Sequence, residues 1–383
     1  MPPRRDELLE ADNGQCGYSC IVNRPGSTDV LHSFDRRRSN TGWWCLGHAS
    51  GLLPRSAAVA PRSARDIVVD ESGFSPVRQP LERMIEAEFR HEIAVDLGGT
   101  NLRVALVNPD GVVIRRHRVP TSGQGSITGA LAELISELQV DQESSAVVAV
   151  PGLVDYESGR AVWAPHLPAS WVAELAEDTL ADRLGRPVSI ANDADLAAVG
   201  ETYFGAGRNA ADVVYLTVST GIGAGVLLNR RLVRGRRSVA EIGHTIIDRQ
   251  AFLNDEPATL EELASGSSVP RLAQMAAVSA QSGEQLEVLE EVGDARASAL
   301  WMEMVENVSI GIINIGWCFG PDLIIMGGGL GRERALFDPV RERMAKVAPT
   351  IAMSLSLVEA ELGDDAGLVG AAAWHRAVDT PGR

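Results

Sequence analysis

The sequence predicts an α/β protein built as two facing lobes. Three observations carry this. From residue 92 onward apolar strands alternate with segments of helical period. A unit of strand, glycine turn and strand occurs twice, at 92–108 and at 213–229. The 383 residues, 45% hydrophobic and 22% charged, have the composition of a soluble globular chain of two or three domains.

Taken in order, 92–97 and 102–108 read as apolar strands around a Gly-Gly-Thr-Asn turn, with a third strand at 112–118. Helical period marks 127–138, and a continuous apolar run at 145–150 reads as a buried strand. A helix over 171–184 and a strand over 187–191 follow, then a helix over 195–203. Strands at 213–218 and 224–229 repeat the opening unit. A long apolar helix covers 297–319, and strand 323–326 leads into helix 332–347.

Composition excludes several classes of function. The net charge is -16, which opposes a broad phosphate-neutralising surface and so a nucleic-acid partner. No apolar run reaches the roughly 18 residues that span a bilayer, and no apolar segment follows the basic N-terminus as a secretory signal requires. Cys16, Cys20, Cys45 and Cys318 are too few for a disulfide framework. These readings imply no membrane partner and a cytoplasmic location. Lys346 is the only lysine. A Walker A loop, which needs lysine after its glycines, is therefore ruled out, and Schiff-base chemistry is disfavoured.

Residues 1–90 carry 12 arginines and 12 acidic residues, so the whole net charge falls in 91–383. This early stretch, rich in Arg, Ser, Pro and Gly, has no sustained period and reads as disordered or weakly ordered. Only 66–69 and 81–89 hint at local structure. Cys16, Cys20, Cys45 and His48 have the residue types of a tetrahedral zinc site but irregular spacing. No helix pair suited to DNA is visible. Residues 1–83 are expected to be an N-terminal extension, or upstream sequence translated from an early start, with Met84 as the alternative beginning.

Three glycine junctions carry the chemistry. In Asp96-Leu97-Gly98-Gly99-Thr100-Asn101 the glycines let backbone amides approach a phosphate, Thr100 offers a hydroxyl, and Asp96 stands where it would orient hydrated Mg²⁺. A plain hairpin turn uses the same glycine pair. Ser219-Thr220-Gly221-Ile222-Gly223 repeats hydroxyls beside glycines between strands, and Met326-Gly327-Gly328-Gly329 joins a strand to a helix. Three such junctions in a chain without a lysine loop are hard to dismiss as plain turns. Asp193, between a strand and a helix, suits either a carboxylate that orients and deprotonates a hydroxyl or a helix cap. Asn192 offers donors and an acceptor. Glu241 and His244 share one face of a turn, and Glu261 adds a carboxylate.

The arrangement resembles the actin-like sugar kinase superfamily and, more closely, the ROK family, named for repressors, open reading frames and kinases. The resemblance runs from residue 93 to 378. It includes Val150-Pro151-Gly152-Leu153-Val154-Asp155, Ala164-Pro165-His166-Leu167, Asn192-Asp193-Ala194-Asp195, Glu241-Ile242-Gly243-His244, Leu260 to Gly266, and Gly367 to Ala372. It implies a two-lobed actin-like ATPase fold of RNase H type with the active site in the cleft. The first lobe would cover 91–193 and the second 194–383, the final helix packing back on the first.

The resemblance further implies an ATP- and Mg²⁺-dependent sugar kinase, glucokinase-like, acting on the 6-hydroxyl of a hexose. Asp193 would be the catalytic base. Gly152, Asn192, Asp193, Glu241, His244 and Glu261 would bind sugar. Asp96, Gly98, Gly99, Thr100, Asn101, Ser219, Thr220, Gly221, Gly327, Gly328 and Gly329 would bind ATP, with Asp96 reaching Mg²⁺ through water. A kinase of N-acetylmannosamine, N-acetylglucosamine or fructose, a polyphosphate-using glucokinase, and a sugar-responsive regulator of the same family are the alternatives. A homodimer is the implied assembly. The chain departs from the family at 245–259, where cysteines that bind zinc with the histidine are usual and none occurs. That zinc site is not expected, and Ile246, Ile247, Phe252 and Leu253 are expected to hold the loop by packing. His166 stands where the family commonly has asparagine.

Overall fold

A computed structural model describes residues 91–140, 144–351 and 356–378, together with three earlier strands. The chain divides into two compact units, Met1–Glu88 and Phe89–Arg383. In the first, β1 (Tyr18–Val22), β2 (Val30–Ser39) and β3 (Gly42–Leu52) form an antiparallel sheet in that order. The sequence shows no sustained period there. β2 and β3 pair between near neighbours in the chain, Ser39 opposite Gly42, which needs no long-range pattern. Residues 66–69 and 81–89, and the side chains of Cys16, Cys20, Cys45 and His48, lie outside the described residues.

The second unit holds two five-stranded sheets of one design. The first contains β4 (Glu92–Leu97), β5 (Asn101–Val107), β6 (Val113–Pro120), β7 (Ala146–Val150) and β10 (Val188–Asn192), in the order β10-β7-β4-β5-β6. The other contains β11 (Val213–Val218), β12 (Ile222–Leu228), β13 (Arg231–Leu232), β14 (Leu323–Gly327) and β15 (Leu357–Glu359), in the order β13-β12-β11-β14-β15. Each sheet is a three-strand antiparallel meander extended by two parallel strands. The duplication read from the glycine turns is thus a duplication of topology. A small hairpin, β8 (Leu153–Asp155) with β9 (Arg160–Trp163), hangs beyond β7.

Twelve helices are used below: α1 (Ile127–Glu137), α2 (Ala169–Glu174), α3 (Glu177–Leu184), α4 (Asp193–Tyr203), α5 (Arg249–Leu253), α6 (Leu260–Ala264), α7 (Val269–Met275), α8 (Gly283–Glu291), α9 (Ala295–Phe319), α10 (Arg334–Val347), α11 (Ala366–Ala371) and α12 (Trp374–Val378). The single helix expected over 171–184 is two, α2 and α3. Between them the backbone is spent on β9: Ala161 N–H donates to Leu175 O at 2.9 Å, and Ala176 bridges Arg160. Among the described residues no helix is long and apolar enough to cross a membrane.

One core lies within each lobe, and a third is shared. It joins Ala94, Ala105 and Ala149 of the first sheet with Val213, Tyr215 and Ile325 of the second, across Leu196–Val199 of α4 and Leu368 of α11. Helices α4 and α11 pass at backbone distance. A Cβ added at Gly200 would strike Ala366 O, and one at Gly370 would strike Leu196 O. Just beyond, the fully buried Glu201 carboxylate accepts the N–H groups of Ala206, Glu361 and Leu362 at 2.9, 3.2 and 2.7 Å. Buried charge is costly unless hydrogen-bonded, and three donors from two chain segments supply that bonding.

Gly370→Val should therefore cost about 1–3 kcal/mol, because the obstructing atom is a main-chain oxygen that cannot rotate away. Thermal denaturation would show a lower melting temperature. Gly129→Ala, in α1 with no non-neighbouring atom closer than Ser126 Cβ at 3.9 Å, should leave it unchanged or raise it.

Candidate active site

The loops at the carboxyl ends of β4, β7, β10, β11 and β14 surround two cavities. The larger, of about 580 Å³, collects Gly99, Thr100, Gly152, Asn192, Asp193, Ser219, Thr220, Gly221, Glu241, His244 and Glu261. The smaller, of about 230 Å³, is lined by Asp96, Asp193, Ser219, Gly328 and Gly329, with Arg103 and Gly367 beside them. Asp193, Ala194, Thr217 and Ser219 line both. Three of the expected residues line neither. Gly98 donates its N–H to Asn101 O at 2.9 Å, closing the β4–β5 turn. Gly327 leaves room for the ring of Tyr215. Those three positions shape the turns from behind.

Asp193 opens α4, and Asn192 is the cap: its Oδ1 accepts the Asp195 N–H at 3.0 Å. The alternative of Asp193 as cap is thereby corrected, and the helix starts two residues earlier than its apolar pattern suggests. The Asn192 side chain is largely committed, since its Nδ2 also donates to Gly152 O at 2.9 Å. Gly152 has φ of 139°, and a Cβ there would collide with Trp163 O. Only glycine fits this position.

Asp193 is partly buried, and its Oδ1 accepts the Ala194 N–H at 2.9 Å. Burial, reinforced by the nearby Asp96 and Glu241 charges, pushes its carboxyl up to about 7, despite that hydrogen bond. Burial also raises Glu241, with Glu261 adding to it and His244 opposing. Asp96 is paired with Arg103, whose Nε lies 2.7 Å from Oδ2. Arg103 Nη2 also donates to Asp364 O at 2.8 Å, across the cleft. Glu261 accepts the Ile222 N–H at 2.8 Å, tying α6 to the β11–β12 turn.

The loop at 245–259 is held differently from expectation. Ile246, Phe252 and Leu253 are exposed, and only Ile247 packs against the core. Hydrogen bonds replace the expected packing. Ile247 N–H donates to Ala258 O at 2.9 Å, Asp248 caps α5, and Thr259 and Glu262 form a capping box at α6.

Sequence reasoning missed Trp163, Thr217 and Arg103. Trp163 lines the larger cavity with its ring edge-on to His244, centroids 6.1 Å apart. Thr217 stands two residues before Ser219 and lines both cavities. Arg103 was readable: the four-residue Gly-Gly-Thr-Asn turn sets Leu97 opposite Leu102 and so Asp96 opposite Arg103 in the β4–β5 register. His166 lines the larger cavity, its main-chain oxygen 3.3 Å from where a Gly99 Cβ would lie.

The model of the ROK family matches residues 92–378. A glucokinase of Thermotoga maritima is 31% identical over 303 residues, 73% of this chain and 95% of its own length. An N-acetylmannosamine kinase of Yersinia pestis is 30% identical over 295 residues, 74% of this chain and 98% of its own. The crystal structure of a ROK family glucokinase from Streptomyces griseus in complex with glucose and AMPPNP superposes with a TM-score of 0.63. The two are 29% identical, over 75% of this chain and 99% of that one.

The raised Asp193 carboxyl makes a stability prediction. Between its ordinary 3.8 and about 7 the folded chain holds a proton that the unfolded chain releases. That contribution is fully present below pH 3.8 and is lost as pH rises through 7. Asp193→Asn carries no charge to bury, so at pH 8 it should melt at a higher temperature than the wild type, the gap closing toward pH 4.

Proposed function

The chain belongs to the ROK family, and we propose that it is an ATP-dependent hexose kinase that phosphorylates the 6-hydroxyl of glucose. The observation that carries this is the placement of Asp193 on both cavities. A carboxylate at that boundary faces an alcohol on one side and a phosphate chain on the other. The larger cavity has the polar lining a sugar needs: besides Asp193, two carboxylates, an amide and two imidazoles around one aromatic edge.

With a hexose in the larger cavity, Asp193 orients the 6-hydroxyl and accepts its proton as the sugar oxygen bonds to the γ-phosphorus. The bond from that phosphorus to the bridging oxygen breaks, and ADP leaves. The two glycine turns, around Gly99–Thr100 and Ser219–Gly221, supply backbone amides and hydroxyls for the charge on the transferring group. Gly328 and Gly329 give adenosine a flat approach. Magnesium suits the donor set, because it takes one or two carboxylates and keeps water; Asp96 would hold it through water, where it would offset phosphate charge.

ATP is favoured over polyphosphate as donor. Among the described residues the cavity linings contain one arginine, Arg103, and no lysine. Arg103 is already engaged by Asp96 and Asp364. A long polyanion needs a row of cations, whereas ATP is held by turns, hydroxyls and a metal.

ADP release with ATP and Mg²⁺, measured across glucose, fructose, N-acetylmannosamine, N-acetylglucosamine and a polyphosphate control, tests this reading. Turnover is expected on glucose, with Asp193→Asn lower by about a hundredfold or more. Fastest turnover on an N-acetylhexosamine would replace the substrate, and silence on every sugar would remove the kinase. Because the base must be ionised, kcat should climb as pH rises through about 7, following the Asp193 carboxyl.

A further inference from the structure

A buried tyrosine that sugar chemistry does not use stands behind the base. Tyr156 directly follows β8, and its hydroxyl donates to Asp195 Oδ2 at 2.7 Å. The tyrosine's hydroxyl oxygen in turn accepts the main-chain N–H of Asn192 at 3.1 Å. The direction of the pair is fixed, since that N–H can only donate and the tyrosine proton must go to Asp195. Burial keeps the hydroxyl protonated. Asp195 is fully buried, and its own N–H closes the circuit on Asn192 Oδ1. Asn192 Nδ2 returns to Gly152 O, four residues before the tyrosine.

The ring is held from two directions and the main chain from a third. Trp374 of α12 lies against it with centroids 6.2 Å apart, the Arg234 guanidinium stands 5.2 Å from its centroid, and Tyr156 N–H donates to Arg236 O at 2.8 Å. A side chain so fixed has little freedom to move its hydroxyl. Asn192 is the last residue of β10, an edge strand, and stands opposite Val150 in the β10–β7 ladder, yet its N–H goes to the tyrosine hydroxyl.

We infer that Tyr156 is a positioning residue, whose hydroxyl, anchored on Asp195, fixes the peptide of Asn192 and so the direction in which Asp193 leaves the strand. Misplacing a reacting group by about 1 Å can cost on the order of a hundredfold. Its consequence for turnover rests on the sugar-kinase reading; its hold on the backbone does not.

The experiment compares Tyr156→Phe, Asp195→Asn and Asp195→Ala with the wild-type full chain. Tyr156→Phe should speed hydrogen exchange of the Asn192 amide by about tenfold or more, leaving that of Ile190, bound to Glu177 Oε1 at 2.9 Å, unchanged. On the sugar the wild type uses, kcat should fall by about ten- to a hundredfold with KM for ATP within about twofold. The Asp195→Asn oxygen still accepts the tyrosine proton, so it should recover much of the kcat that Asp195→Ala loses. Unaltered Asn192 exchange and kcat in Tyr156→Phe would overturn the inference, as would equal loss in the two Asp195 variants. If Tyr156→Phe lost its cooperative melt, that Asp195 pair would carry the same decision. A wild type silent on every sugar would remove the kinase reading, and Asn192 exchange would still decide what Tyr156 holds.

Discussion

The structure turns on how closely α4 is clamped. Two glycines bring α4 and α11 to backbone contact, and the sheets of both lobes share the core packed around that pair. The buried Glu201 carboxylate then gathers three main-chain donors from the segments that follow α4 and precede α11. A helix held at this distance cannot slide, because close-packed interiors have no spare volume to absorb a shift. Its first residue is Asp193. The position of Asp193 is thus set by packing two turns away as much as by its own bonds.

The clamp has an electrostatic cost at the other end of the helix. Asp193, Asp195 and Glu241 are all raised by burial, and the first two each reach about 7. The helix N-terminus favours negative charge there, but burial and mutual repulsion outweigh it. A carboxyl raised to near neutrality suits the proton transfer proposed for Asp193. Burying these acids costs stability, and among the described residues the cavity linings offer one arginine and no lysine to offset it. Arg103 is spent on Asp96 and on the facing loop.

Loop 245–259 shows how local chemistry replaces a missing device. Without cysteines the segment is pinned by a two-strand bridge, an aspartate cap and a capping box. The cap and the capping box are short-range bonds between residues within three positions of one another, while the bridge joins Ile246 to Thr259 across the loop. Ile246, Phe252 and Leu253 of the same loop are left outward, while Ile247 packs on the core that contains Leu260, Val269 and Ile312.

By itself the sequence determined the alternation of strands and helices, both glycine turns and the identity of Asp193, because period and turn chemistry are local properties of the chain. The strand at 213–218 is read to the residue, since its apolar run and glycine boundary coincide. The break between α2 and α3 was not legible, for it depends on hydrogen bonds to β9, and helical period cannot report a partner strand. Nor was Gly327 separable from Gly328 and Gly329, which only the ring of Tyr215 distinguishes. Tertiary structure alone decided that Tyr156 stands behind Asn192, that Asn192 caps α4, and that the two cavities meet at one carboxylate. The cap is a bond over three positions that period does not reveal, whereas the tyrosine bond joins residues 36 positions apart, and such contacts are chosen by packing the whole chain.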